Sequence, residues 1–333
     1  MSKEHILVTG GAGFIGSHVA KHLLAQGYEV VVLDDLSGGQ VDNVPSGAKF
    51  CEGSILDVPL LESLFAEHSF DYVYHLAAYA AEGLSHFIKN FNYSNNLIGS
   101  VNLINQAILH DVKCFVFTSS IAVYGEIPPP MRESDIPVPE DPYGVAKLAV
   151  EQELRVSCQQ FGLPYVVFRP HNVYGEHQNL SDRYRNVIGI FMNQIMNDKP
   201  LSIFGDGLQS RAFSYIDDIM PPMIRAIKEP KAWGQVFNIG ADLATTVKEL
   251  AEVVKASMKG EQDILYLEAR NEVLHAHADH SKVKEFFGEV PQTSLIEGIG
   301  QMAKWALNTT PGQPSYFGNI EIERGLPPFW VQK

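Results

Sequence analysis

The chain is read as an α/β fold, a doubly wound parallel sheet followed by a smaller α/β region. Two observations lead to this reading. Short β-branched runs at residues 5–9, 29–34, 49–52, 71–76 and 113–119 alternate with amphipathic stretches of helical period. Strands separated by helix-length segments form sheets whose neighbours run parallel, with helices on both faces. A glycine-rich turn, Gly10-Gly11-Ala12-Gly13-Phe14-Ile15-Gly16, follows the first run and opens the first helical stretch.

Further elements follow in order. Residues 85–110 and 142–161 read as two longer helices, and residues 165–169 as a sixth strand. Helices near residues 187–197 and 247–258 come next, the second opened by Thr246-Val247-Lys248-Glu249, which has the form of a capping box. The pattern divides the chain into residues 1–170, to which later segments return, residues 171–311, and a tail, 312–333, whose Pro and aromatic content resists assignment. No internal repeat or low-complexity tract is present.

Length and composition narrow the function classes. With 333 residues, 45% of them hydrophobic, the chain can bury one large core with an annex. Twenty-five Lys and Arg against 39 Asp and Glu leave a net charge of −14, and no basic run marks a phosphate-tracking stripe. Nucleic acid and anionic membrane are therefore not expected partners. Cys51, Cys114 and Cys158 lack CxxC spacing and leave one unpaired, which fits a reducing cytoplasm and neither a disulfide framework nor structural zinc. No secretory leader or membrane span is expected.

The glycine turn stands where a dinucleotide-binding turn of the Rossmann type would stand, between a strand and a helix. Glycines there let a pyrophosphate approach helix N-terminal amides. Asp34, eighteen residues past Gly16 and at the end of the second strand, is placed to accept hydrogen bonds from an adenosine ribose diol. Asp35 adds a second carboxylate, so a 2′-phosphate would be repelled and NAD is expected rather than NADP. Tyr143 and Lys147 are four residues apart and share a helix face. A nearby cation favours a phenolate, which makes Tyr143 a candidate general base. Ser119 and Ser120 end the fifth strand, at the sheet edge where ligands bind, and a hydroxyl there could share the proton of a reacting hydroxyl.

These residues, together with Ser119-Ser120-Ile121-Ala122-Val123-Tyr124-Gly125 and Arg169-Pro170-His171-Asn172-Val173-Tyr174-Gly175, resemble the extended short-chain dehydrogenase/reductases. Within them the chain is most similar to the NAD-dependent epimerase/dehydratase family and its UDP-hexose 4-epimerases, over residues 4–308. The resemblance implies that Gly10, Gly13 and Gly16, with Phe14 and Ile15 in the same turn, cradle the pyrophosphate, and that Asp34 and Asp35 meet the ribose. It implies an adenine contact at Ser54 and Ile55, although the family usually has Asp where Ser54 stands. Leu76, Ala77, Ala78 and Pro170 would line the cofactor channel beside Ser119, Asn96 would brace it, and Lys147 would bond the nicotinamide ribose. Ser120, Tyr143 and Lys147 would be the catalytic set. Asn172, Asn186, Val187, Arg211 and Arg270 match positions that contact uridine or diphosphate. The two longer helices resemble those that pair in a family homodimer.

The implied reaction is inversion at C4 of a UDP-sugar through a 4-keto intermediate. The dehydratases and decarboxylases of the family carry an acid just after the strand-five hydroxyl, and Ile121-Ala122 offers none. The GDP-sugar 3,5-epimerases share the 205–211 run and the His171-Asn172 pair but use a cysteine near the Ala122 position; His171 keeps that alternative open. UDP-glucose, UDP-N-acetylglucosamine and UDP-glucuronate all stand as substrates. Ala276 falls where some 4-epimerases carry a bulky tyrosine, and Arg183 and Arg185 are candidates to bind a sugar carboxylate. A non-catalytic NAD-binding sensor on the same fold is a further alternative. His75 is read as a packed residue, and His275, His277, Asp279 and His280 are not read as a metal site.

Overall fold

The computed structural model describes residues 3–269, 272–310, 312–313 and 315–331. In chain order the sheet-building half comprises β1 (His5–Thr9), α1 (Phe14–Ala25), β2 (Glu29–Asp34), β3 (Lys49–Glu52), α2 (Val58–His68) and β4 (Tyr72–His75). Then come α3 (Glu82–Ser85), α4 (Lys89–Tyr93), α5 (Gly99–Leu109), β5 (Cys114–Thr118), α6 (Pro142–Phe161) and β6 (Tyr165–Pro170). After β7 (Val173–Tyr174), α7 (Val187–Met196), β8 (Leu201–Phe204), β9 (Ser210–Ala212), β10 (Ser214–Tyr215) and α8 (Ile216–Arg225), the chain returns as β11 (Gln235–Ile239).

The seven strands pair in parallel in the order β3-β2-β1-β4-β5-β6-β11. Period-two alternation buries both faces, as a parallel sheet requires. Ile6, Val8, Val30, Val32 and Tyr74 pack on one side with residues of α1 and α8. Leu7, Val31, Leu33, Val73 and Phe117 pack on the other with α2, α5 and α6. The strand order reverses direction between β1 and β4, which opens a crevice at the carboxyl edge between them. The pairs β12 (Ala244–Thr246) with β9, β14 (His275–Ala276) with β9, β13 (Ile264–Leu267) with β8, and β10 with β7 build the smaller region around α9 (Val247–Met258), α10 (Ser281–Phe287) and α11 (Leu295–Ala306). The capping box at Thr246 and Glu249 forms as its sequence pattern implies.

One expected element differs. The helix expected over residues 85–110 runs from Lys89 to Leu109 as α4, a π-helical turn over Ser94–Ile98 and α5 without a gap, and the short α3 precedes it. The wider turn lets Asn96 reach sideways, accepting from the Tyr79 amide at 2.9 Å and donating to the Tyr79 carbonyl at 3.0 Å. A regular helix would not bring this amide to the loop after β4. The tail, for which no element was expected, packs as an aromatic layer: Trp330 is buried against Phe87, Tyr184 and Phe204. Glu321 accepts from the backbone amides of Asn90 and Phe91. Among the described residues no helix is long and apolar enough to cross a membrane.

Candidate functional site

The glycine turn is shaped by close approach. Gly10 sits at φ 70°, and a Cβ there would lie 2.7 Å from the Ala77 amide nitrogen. A Cβ on Gly16 would land on the Gly10 carbonyl oxygen. The turn therefore passes against β4 and folds onto itself only without side chains, which leaves the α1 N-terminus bare for an anion. Asp34 stands at the end of β2, accepting from the Ala12 amide at 3.0 Å and the Leu36 amide at 2.9 Å. Burial raises its pKa, and these two amides oppose the rise.

Tyr143 enters from the first turn of α6. Asp141 caps that helix by accepting from the Gly144 amide at 2.9 Å, and Pro142 occupies its first position. Tyr143, Lys147 and Glu151 then share one face at four-residue spacing. A Cβ on Gly144 would lie 2.7 Å from the Ala122 carbonyl oxygen, so the helix seats directly on the turn after β5. That turn carries Ser120, whose hydroxyl accepts from the Ala122 amide at 3.1 Å and borders the cleft beside the Tyr143 phenol. Lys147 donates to the Thr118 carbonyl at 2.8 Å, with its ammonium 5.7 Å from the centre of the Tyr143 ring. Burial pushes Lys147 down to about 7, with Glu151 opposing. Burial also holds the Tyr143 phenol well above its ordinary value; Glu82 adds to the rise, and the Ser120 hydroxyl opposes it.

Behind this trio lies a buried ionic support. Arg169 on β6 makes a bidentate pair with Glu151, Nε to Oε1 at 2.9 Å and Nη2 to Oε2 at 2.6 Å. Ser119 donates to the same carboxylate at 2.5 Å. Arg169 also stacks 4.7 Å from the Tyr124 ring, whose hydroxyl donates to Asn238 on β11 at 2.8 Å. One network thus fixes β5, α6, β6 and β11 around the site.

The glycine turn, Asp34, Ser120, Tyr143 and Lys147 border one cleft of about 320 Å³ along the carboxyl edge of the sheet. The family model described as the NAD dependent epimerase/dehydratase family matches residues 6–240. The chain belongs to that family. It is 33% identical over 310 residues to a UDP-glucose 4-epimerase of Mycolicibacterium smegmatis, covering 91% of this chain and 98% of that protein. A UDP-glucose 4-epimerase of Thermotoga maritima, solved with UDP-glucose, superposes with a TM-score of 0.86 at 37% identity, over 90% of this chain and 98% of that one. A UDP-glucuronic acid 4-epimerase of Bacillus cereus, solved with UDP-glucuronic acid and NAD, superposes with a TM-score of 0.84 at 30% identity, over 91% and 99%.

In this family member the cleft wall brings together Gly10, Gly13, Phe14, Ile15, Gly16, Asp34, Asp35, Ile55, Leu76, Ala77 and Ala78 from the cofactor half. It adds Ser119, Ser120, Tyr143, Lys147, Pro170, Asn172, Arg185 and Asn186. The glycine cradle, the bare α1 N-terminus and the Asp34 carboxylate fit NAD, the cofactor on which the family depends. Four expected residues stand outside the wall. Ser54 turns its hydroxyl to the Leu56 amide, leaving Gly53 and Ile55 to face the cleft. Asn96 acts behind it, through Tyr79. Val187 is the first residue of α7, behind Asn186, whose side chain caps that helix through the Ile188 amide at 3.2 Å. Arg211 spends its donors on the carbonyls of Ser210, Val273 and Leu274 and pairs with Glu272, because β9 runs beside that loop. Arg270 lies outside the described residues.

Other side chains also find their places. His171 is buried, with Nδ1 2.9 Å from the Ala212 carbonyl and Nε2 2.9 Å from His280 Nε2, and it does not border the cleft. A 3,5-epimerase reading resting on His171 loses its support. His280 in turn meets Asp242 at 2.6 Å, and His275 meets Ser210 at 2.8 Å. His75 is pinned between Thr9 and Ser100, and burial holds its pKa at about 3. Arg183 is sandwiched by Tyr316 and Phe329 of the tail, whereas Arg185 pairs with Asp182 at 2.7 Å and stacks 5.0 Å from the Tyr79 ring. The sequence reading did not single out Tyr79, Glu82, Gln178 or Asn179, all of which border the cleft. Glu151 also went unread, though its spacing four residues beyond Lys147 was available.

Proposed function

We propose that this chain is an NAD-dependent nucleotide-sugar 4-epimerase that inverts C4 of a UDP-hexose. The observation carrying the reading is the convergence of Ser120, Tyr143 and Lys147 on one cleft with the glycine turn and Asp34. In this reading Gly10, Gly13 and Gly16 hold the pyrophosphate of NAD at the α1 N-terminus, Asp34 holds the ribose, and Lys147 binds beside the nicotinamide. Bound NAD supplies the acceptor and donor of hydride at sugar C4. Tyr143 takes the O4 proton and later returns it, and Ser120 shares that proton while steadying O4. Burial, with Glu82 and Asp141, keeps the Tyr143 proton on, while Ser120 and the Arg185 charge oppose it; in this reading a protonated Lys147, 5.7 Å from the ring centre, adds to what favours the phenolate. Asn172 and Asn186 border the nucleotide end, and binding energy there retains the keto sugar between the two half-reactions.

The uronate reading has its own observation, since Arg185 borders the cleft and a guanidinium fork matches a carboxylate. Association as a homodimer is supported by exposed apolar side chains eleven residues apart on each long helix: Ile98 and Leu109 on one, Val145 and Val156 on the other. Eleven residues is close to three helical turns, so each pair shares a face. Free thiols at Cys51, Cys114 and Cys158 support a cytoplasmic setting.

The protein is to be incubated with UDP-glucose, UDP-N-acetylglucosamine and UDP-glucuronate, with C4 epimers resolved by NMR. Formation of the C4 epimer of at least one is expected. No conversion, or accumulation of a 4-keto-6-deoxy sugar, overturns the reading. Tyr143→Phe is expected to keep bound NAD and lose turnover by about 10²-fold or more; near-full activity would remove Tyr143 from its role.

A further inference from the structure

The sugar end of the cleft contains a carboxylate that the reaction above does not use. Glu82 opens α3, directly after the loop that leaves β4, and borders the cleft with Tyr79 and Tyr143. Its position is held from both sides. The Ser85 hydroxyl donates to the Glu82 carbonyl at 2.6 Å and accepts from the Tyr143 amide at 3.2 Å, which ties α3 to the catalytic end of α6. Asn92, on the next helix, donates to the Pro142 carbonyl at 2.8 Å and locks the same junction. The backbone at Glu82 is therefore fixed relative to the N-terminal end of α6. The Glu82 charge reaches the Tyr143 phenol, where the sugar carbon must react.

The charges around Tyr143 can be named element by element. Glu82 comes from α3, Asp141 from the cap of α6, Lys147 from α6 itself, and Arg185 from the segment before α7. The Arg185 charge is already paired with Asp182 and its guanidinium lies over Tyr79. Lys147 is turned to the Thr118 carbonyl at the base of the cleft. The charges named around Tyr143 balance, two carboxylates against two cations, but the Arg185 charge is committed to Asp182 and Lys147 is turned to the base of the cleft, which leaves Glu82 as a carboxylate on the cleft wall beside Tyr143.

Resting on the 4-epimerase reading, we propose that Glu82 is a specificity-determining residue, accepting hydrogen bonds from the hydroxyls of an uncharged hexose and disfavouring a hexose that carries a carboxylate. The substrate class is then a neutral UDP-hexose, and Arg185 serves the wall of the cleft rather than a uronate.

Binding is measured by calorimetry on NAD-loaded protein, with UDP-glucose and UDP-glucuronate titrated into the parent and into Glu82→Gln, and kcat/KM is measured for whichever sugar turns over. The parent is expected to bind UDP-glucose the more tightly. Glu82→Gln is expected to shift the ratio of the two dissociation constants by about tenfold toward the uronate, equal to about 1.4 kcal/mol. A merely structural role would weaken both ligands alike and leave the ratio in place. A ratio unchanged within twofold, or a parent that prefers UDP-glucuronate, overturns the proposal. Failure of the epimerase reading has a different signature, which is binding without conversion of either sugar in the parent.

Discussion

Replacing Glu151 by Leu tests whether Ser120, Tyr143 and Lys147 stand on the buried ion pair. Glu151 and Arg169 are each 4% exposed and meet through two hydrogen bonds. Removing the carboxylate leaves a guanidinium in the interior, where loss of one partner costs about 3–5 kcal/mol. The Ser119 hydroxyl loses its acceptor as well, adding about 1 kcal/mol. Unfolding entropy of about 2.1 cal/mol/K per residue across 333 residues converts such a loss into a fall in Tm of about 6–9 °C. The double variant Glu151→Leu/Arg169→Met removes both charges, and an apolar pair of similar volume is commonly as stable as the ion pair. It should recover at least half of the fall. Calorimetry on cofactor-free protein separates these outcomes, because bound ligand would raise Tm by mass action. A fall under 2 °C in the single variant, or no recovery in the double, would refute the reasoning.

Two further outcomes follow from the same geometry. Gly16→Ala drives a methyl group into the Gly10 carbonyl and should leave less than a tenth of the parent's NAD after purification, as read from the absorbance of an acid extract; parent-like content would show that the turn does not hold the cofactor. Burial lowers Lys147 to about 7 in the cofactor-free protein, whereas a lysine in an unfolded chain titrates near about 10.4. Between those values the unfolded chain binds the extra proton, so this site makes stability rise with pH across the window, and Lys147→Met lacks that rise. The parent's Tm relative to the variant's should therefore climb from pH 7 to pH 9.5, and a flat difference would contradict the buried ammonium.

Which parts were legible in the sequence has a consistent pattern. β1, β2, β3, α6 and α9 fall at the residues their periodicity implied, because each buries a face whose apolar spacing is local. The glycine turn and the Tyr143–Lys147 face were legible for the same reason. The π turn inside the helix expected over residues 85–110 was not, since Asn96 there meets the Tyr79 backbone, a partner seventeen residues away that hydrophobic period cannot reveal. The tail was illegible because Trp330 buries itself against Phe87 and Tyr184 rather than along a face of the tail's own.

The site divides along the same line. By itself the sequence determined the sheet, the glycine turn and the grouping of Tyr143 with Lys147, all set by contacts along a strand, around a tight turn or up a helix face. Only the tertiary structure decided that Arg185 borders the cleft while Arg211 is consumed by a neighbouring loop, that His171 is sealed in the interior, and that Glu82 faces the reacting end. Those outcomes depend on which distant backbone groups claim each donor or acceptor, and hydrogen-bond partners across a fold leave no periodic trace in the chain.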